Sequence, residues 1–224
     1  MYRVLTAGCA LALGFTLSGF AGLSVEAAPG AAPQSDAPKF ETLRDGTPIR
    51  ADDAERLDAL DLTYGEALRQ ALNEGNDETI FAIVAALRGR PQTVDDGALA
   101  GLVGEWKCNM TKIGGVTPGV IYPPYRCEIR VEGDALVFEK QTGSQLTRGT
   151  LHRDGDRIVY LGTDYIRGST PPAYEDLPSR IDPKSLEQFF PDAGLLEVTG
   201  PRQARIVLPK PYVESELNVL QLAR

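Results

Sequence analysis

The residues best suited to recognition are tyrosines and arginines that recur together. Tyr122, Tyr125 and Arg126 lie in Val-Ile-Tyr-Pro-Pro-Tyr-Arg-Cys; Tyr160, Tyr165 and Arg167 lie near another strand end; Tyr174 lies in a proline-rich stretch. Tyrosine combines apolar area with a hydroxyl, and arginine fixes a carboxylate or phosphate. With the lone Trp106, they would suit a small amphiphilic ligand at the rim of a cavity. The competing reading is aromatic packing beneath loops.

Other chemistries fare worse. Zinc needs about four ligands, and His152 is the only histidine. Asp154-Gly155-Asp156 lacks the later ligands of a calcium loop and reads as a hairpin turn. Ser144 sits in Thr-Gly-Ser-Gln, not in a nucleophile elbow. His152, eight residues on, would be roughly 26 Å away along an extended strand and reads as a solvated strand-end residue. Lys112-Ile113-Gly114-Gly115 lacks phosphate-loop spacing and reads as a flexible loop. Glu128, Glu132, Glu139 and Asp164 could pair across a barrel mouth as in a glycosidase, but an acidic chain produces such coincidences. The expectation is no catalytic residue, no cofactor and no metal.

The chain has 224 residues and a formal charge of −8, with 42% hydrophobic residues. That is too apolar for wholesale disorder and too acidic for nucleic acid to be the first partner considered. Residues 1–27 carry Arg3, an apolar run from Val4 to Phe20 and small residues at Val25 and Ala27. This pattern predicts a cleaved signal peptide and a periplasmic or secreted protein with no stable membrane span. Removing that segment also removes Cys9. Cys108 and Cys127 remain, an even pair that reads as a disulfide in an exported protein.

The elements that must carry these residues fall in sequence. Residues 28–40, rich in Ala and Pro, read as a disordered leader. Residues 41–100 read as a helical hairpin. Its first helix opens on an Asp52/Glu55 capping box, and Leu57, Leu60, Tyr64, Ala67, Leu68, Ala71 and Leu72 make an inward stripe. Asn76 or Asp77 caps the second, with Ile80, Ile83, Val84 and Leu87 inward. Residues 101–224 read as eight strands at 102–110, 121–131, 135–141, 144–152, 157–165, 194–199, 203–208 and 216–222. Tight turns between them imply an antiparallel meander closing into a barrel. Alternation puts Cys108 and Cys127 on the apolar faces of adjacent strands, beside Trp106. Residues 168–191 form a long proline-rich loop, with a helical turn expected over 184–190.

Gly104-Glu105-Trp106, at the start of the first barrel strand, resembles the lipocalin-like, or calycin, barrels. The resemblance implies that Trp106 plugs one end and that an arginine, Arg202, Arg205 or Arg224, packs over it. The chain also resembles a family of uncharacterised exported bacterial proteins, a domain of unknown function. The matching pieces are Ala51-Asp52-Asp53-Ala54-Glu55-Arg56-Leu57, Leu102 to Cys108, Ile121-Tyr122, Tyr125 to Ile129, Thr142-Gly143-Ser144-Gln145 and Leu208-Pro209-Lys210-Pro211. That resemblance implies one helix-plus-barrel unit in the envelope and supplies no catalytic residue. The fold class expected is α+β: an N-terminal helical hairpin on an antiparallel, eight-stranded lipocalin-like β-barrel. The function expected is binding of a small apolar or amphiphilic ligand in the barrel. An envelope protein–protein interaction module with a filled barrel is the alternative, and an envelope hydrolase is third.

Overall fold

The computed structural model describes residues 40–178, 181, 182, 184 and 189–224. The expected signal peptide, nearly all of the leader and most of the 184–190 turn lie outside the described residues. Eight antiparallel strands close into a barrel: β3 (Gly104–Ile113), β5 (Tyr125–Glu132), β6 (Ala135–Lys140), β7 (Gln145–Asp154), β8 (Arg157–Ile166), β9 (Phe190–Gly200), β10 (Gln203–Pro209) and β11 (Leu217–Ala223). β11 returns to pair with β3, from Leu217 opposite Ile113 to Ala223 opposite Lys107. Short β4 (Gly119–Ile121) attaches to the end of β3. The barrel fits the lipocalin-like class. Two-residue turns at Gly133-Asp134 and Gly155-Asp156 join β5 to β6 and β7 to β8. Gly133 and Gly155 have φ of 59° and 66°, as tight hairpins demand of their first central residue.

Period-two alternation fills the interior. Trp106 and Cys108 of β3, Cys127 and Ile129 of β5, Phe138 of β6, Leu151 of β7, Ile158 and Tyr160 of β8, and Ile206, Leu220 and Leu222 of the last strands pack into one buried cluster. In register, Trp106 faces Cys127 and Cys108 faces Tyr125. The two cysteines are therefore diagonal neighbours on the inner face, and they are joined as a disulfide with Cα atoms 5.9 Å apart. Trp106 closes one end. Its indole donates to Leu102 O at 2.9 Å, and the Arg224 guanidinium lies 4.1 Å from the ring centroid. Of the three arginines considered for that place, Arg224 takes it. Arg205 instead pairs with Glu197 and donates to the carbonyls of Leu87, Arg88 and Gly89.

The helices cover the outside. α1 (Ala51–Asp58), α2 (Leu60–Glu74) and α3 (Asp77–Leu87) replace the expected pair, because the chain leaves helical geometry at Ala59. Asn76 caps α3, accepting from Thr79 N at 2.9 Å. The expected capping box is absent: no side chain caps α1, and Asp52 accepts instead from the Tyr212 hydroxyl. Leu60, Ala67 and Ala71 of α2 and Ile83 and Ala86 of α3 pack on Ile113, Val207, Leu217 and Val219, over the β3–β11–β10 seam. Leu72 and Val84 are exposed rather than inward. α3 is apolar around most of its circumference, so periodicity could not orient it. Two features lie outside the sequence expectation: a ribbon of β1 (Phe40–Thr42) and β2 (Pro48–Arg50), and the short α4 (Asp96–Ala100), which Asp95 caps by accepting from Ala98 N at 2.7 Å. β9 begins at Phe190, four residues earlier than expected. Among the described residues no helix is long and apolar enough to cross a membrane.

Candidate functional site at the barrel mouth

The inward faces stay apolar until the strands approach the end opposite Trp106. There the same alternation brings in charge. Lys112 continues the Trp106–Cys108–Met110 face of β3, and Lys140 continues the Phe138 face of β6. Asp164 follows Ile158 and Tyr160 on β8, and Asp192 precedes Leu196 on β9. Lys112, Lys140 and Asp192 are buried. Together with Tyr122, Tyr125, Gln145, Thr147 and Asn218 these residues line a cavity of about 60 Å³ at the mouth, room for one or two waters.

Charges at this depth persist because they are paired and hydrogen-bonded. Lys112 Nζ donates to Gln145 Oε1 at 3.0 Å and to the Glu214 carboxylate, and lies 5.6 Å from the Tyr122 ring centroid. Lys140 Nζ donates to Thr142 O at 2.9 Å and to Gln145 O, and lies 3.8 Å from the Tyr125 centroid. Thr147 Oγ1 donates to Asp192 Oδ2 at 2.7 Å. The Tyr160 hydroxyl, also 2.7 Å from Thr147 Oγ1, is then the donor in its own bond. Gly162 makes room for it, since a Cβ there would stand 2.2 Å from the Tyr160 hydroxyl.

Burial pushes the Asp164 carboxyl up to about 8, with Asp192 adding to the rise. Burial raises Asp192 as well, and lowers Lys140 to about 8. The consequence for stability has a definite sign. Between about pH 4 and about 8, folded Asp164 holds a proton that the unfolded chain has lost, so stability falls as pH rises. Between about 8 and roughly 10.4, the unfolded chain holds the Lys140 proton more tightly, so stability rises again. Urea unfolding measured across pH should therefore show these groups contributing least near pH 8. Asp164→Asn should flatten the acid-side slope, and an unchanged slope would refute the placement of Asp164.

The rim of the mouth is held from outside the barrel by α1. Buried Asp53 takes the Arg56 guanidinium and the Tyr174 hydroxyl. Arg56 donates to Lys210 O at 3.0 Å and to Pro191 O at 3.3 Å, and lies 4.9 Å from the Tyr212 ring centroid. Tyr212 stacks on Phe190, with centroids 5.8 Å apart. The Ala51–Leu57 and Leu208–Pro211 pieces of the sequence thus meet in one latch.

The structure sorts the expected site residues. Tyr122 and Tyr125 line the mouth, and Tyr160 lies beneath it. Trp106 belongs to the opposite, closed end. Tyr165 alternates with Asp164 and faces outward. Arg126 and Arg167 are exposed beside the β6–β7 turn, the Arg126 amide donating to Thr142 Oγ1 and Arg167 Nε to Gly143 O. Tyr174 joins the α1 latch. Lys112, read as part of a flexible loop, ends a barrel strand and points inward. His152, read as solvated, is half-buried; its ring nitrogens lie 3.0 Å from Thr47 Oγ1 and 2.6 Å from Thr150 Oγ1. Burial lowers its pKa. Lys140 and Asp192 were missed, although the parity of Phe138 already pointed Lys140 inward.

No curated protein matches the chain. A family model does match residues 47–222, from the β1–β2 turn through almost all of β11. The barrel, the mouth and the α1 latch all fall within that span, and the chain belongs to the family described as Domain of unknown function (DUF4893).

Proposed function

We propose that the protein is a non-enzymatic binder of a small amphiphilic solute, held by its polar head in the barrel mouth. The observation that carries this reading is the set of four ionisable groups, Lys112, Lys140, Asp164 and Asp192, converging on one small cavity while the barrel beneath is packed with side chains. Sites of this kind join a few convergent polar groups to apolar walls, here Met110, Leu146, Leu208 and Phe190. The cavity takes a head group and not a lipid chain, so the apolar part of the solute rests against Tyr122, Tyr125 and the rim. The protein acts outside the cytoplasm after removal of residues 1–27, a reading that the Cys108–Cys127 bridge supports.

Native mass spectrometry of protein recovered gently from the envelope fraction tests the binding role. The expected result is a small reproducible adduct, lost on denaturation and absent from Lys112→Met. An apo mass in both forms rejects a retained ligand and favours the second reading, a protein–protein module. Its supporting observation is the exposure of Leu62, Leu72, Phe81 and Val84 on α2 and α3, an apolar surface suited to a partner.

A further inference from the structure

The mouth already holds a carboxylate on its buried lysine, and that carboxylate comes from the rim. Residues 210–216, between β10 and β11, pass over the cavity, which Pro211, Tyr212 and Val213 help to line. Lys210 and Glu214 have φ of 44° and 73°, the left-handed region that favours glycine and that side-chain-bearing residues occupy only when their surroundings hold them there. Lys210 is held by its amide to Glu216 O at 2.7 Å and by Arg56 on its carbonyl. Glu214 is held by its carbonyl, which accepts from Val116 N at 2.9 Å, and by its side chain on Lys112. The two partners of that ion pair are unequal: the Lys112 side chain is 9% exposed and that of Glu214 is 53% exposed. Lys112 therefore faces the interior acids on one side and, on the other, a carboxylate that solvent can replace. The neighbouring Lys140 adds positive field without a spare donor, being engaged by Thr142 O, Gln145 O and the Tyr125 ring.

We propose that Glu214 stands where the ligand's charged group goes. The ligand is a small monocarboxylate whose carboxylate replaces that of Glu214 on Lys112, and the 210–216 loop is its internal competitor. This rests on the mouth being a ligand site and names the class of ligand it takes. A single negative charge fits better than a dianion because Lys112 carries one carboxylate, that of Glu214, and the engaged Lys140 offers no donor for a second.

The test is an NMR titration with butyrate, butylamine and 1-butanol, following the amides of Gln145, Asp164 and Asn218. Butyrate is expected to bind the wild type, to bind Glu214→Gln roughly fivefold more tightly once the competing pair is gone, and to leave Lys112→Met unperturbed. If Lys112→Met does not fold, Glu214→Gln decides alone. Butyrate binding that is unchanged or weaker in Glu214→Gln overturns the competitor and leaves the mouth as a site. Shifts with butylamine or butanol but not butyrate overturn the anionic class. No shift with any probe in either the wild type or Glu214→Gln overturns the inference and the ligand reading beneath it.

Discussion

Asp53→Ala is expected to lower the unfolding free energy by about 3–5 kcal/mol, the usual loss when one side of a buried ion pair is removed. Asp53 is fully buried at the start of α1, where Arg56 and the Tyr174 hydroxyl both turn to it. Its removal leaves the Arg56 charge buried beside an apolar methyl. It also deprives the Tyr174 hydroxyl of its acceptor, although that hydroxyl still accepts from Arg50 N at 3.1 Å. Asp53→Asn retains an acceptor without the charge and should fall between the two. Urea unfolding with the disulfide intact measures this as a lower midpoint at constant slope. A loss below about 1 kcal/mol would mean that Arg56 is satisfied by Lys210 O and Pro191 O alone. Because those carbonyls belong to the rim, the proposed binding at the mouth should weaken along with stability.

Breaking the Cys108–Cys127 bridge should cost about 3 kcal/mol, the chain-entropy value for a loop of this length; the cysteines are 19 residues apart. The lone tryptophan reports the event. Trp106 is 3% exposed and sits in register with Cys127, so the disulfide is expected to quench it in the native state. Reduction should brighten the emission without a red shift, and Cys108→Ser/Cys127→Ser should show the same spectrum with a lower unfolding midpoint. Bright, red-shifted emission from the oxidised protein would contradict the buried placement of the indole.

How much could be read beforehand differs by element. The barrel strands show in the residue order because short apolar runs are bounded by turn residues, with Gly-Asp pairs at the β5–β6 and β7–β8 turns, and because β3 and β5 alternate along their first residues. The disulfide follows from the same parity. The β1–β2 ribbon does not show, since Phe40–Thr42 is wholly exposed and has no buried face to pattern. Tyr122 and Tyr125 were legible as rim residues. The charged ring was not, because a lysine or aspartate at an inward position resembles one on a solvated face until its partners are known. Lys112 needs Gln145 and Glu214, from distant strands and loops. Asp192 needs Thr147. Tyr174 looked like a mouth residue on composition alone, and the acid that claims it lies on α1.

The seam that closes the barrel also orders events in time. β11 completes both the β3 edge and the apolar floor on which α2 and α3 rest, yet it lies farthest along the chain of the described strands. The helices and β3 can form local structure early, but their shared core exists only once Leu217 and Val219 arrive. Pairing between segments so distant in sequence slows folding. Until it forms, the inner faces of the helices and one edge of the sheet stand open to other chains. The partly folded chain is therefore most prone to aggregation before β11 pairs with β3.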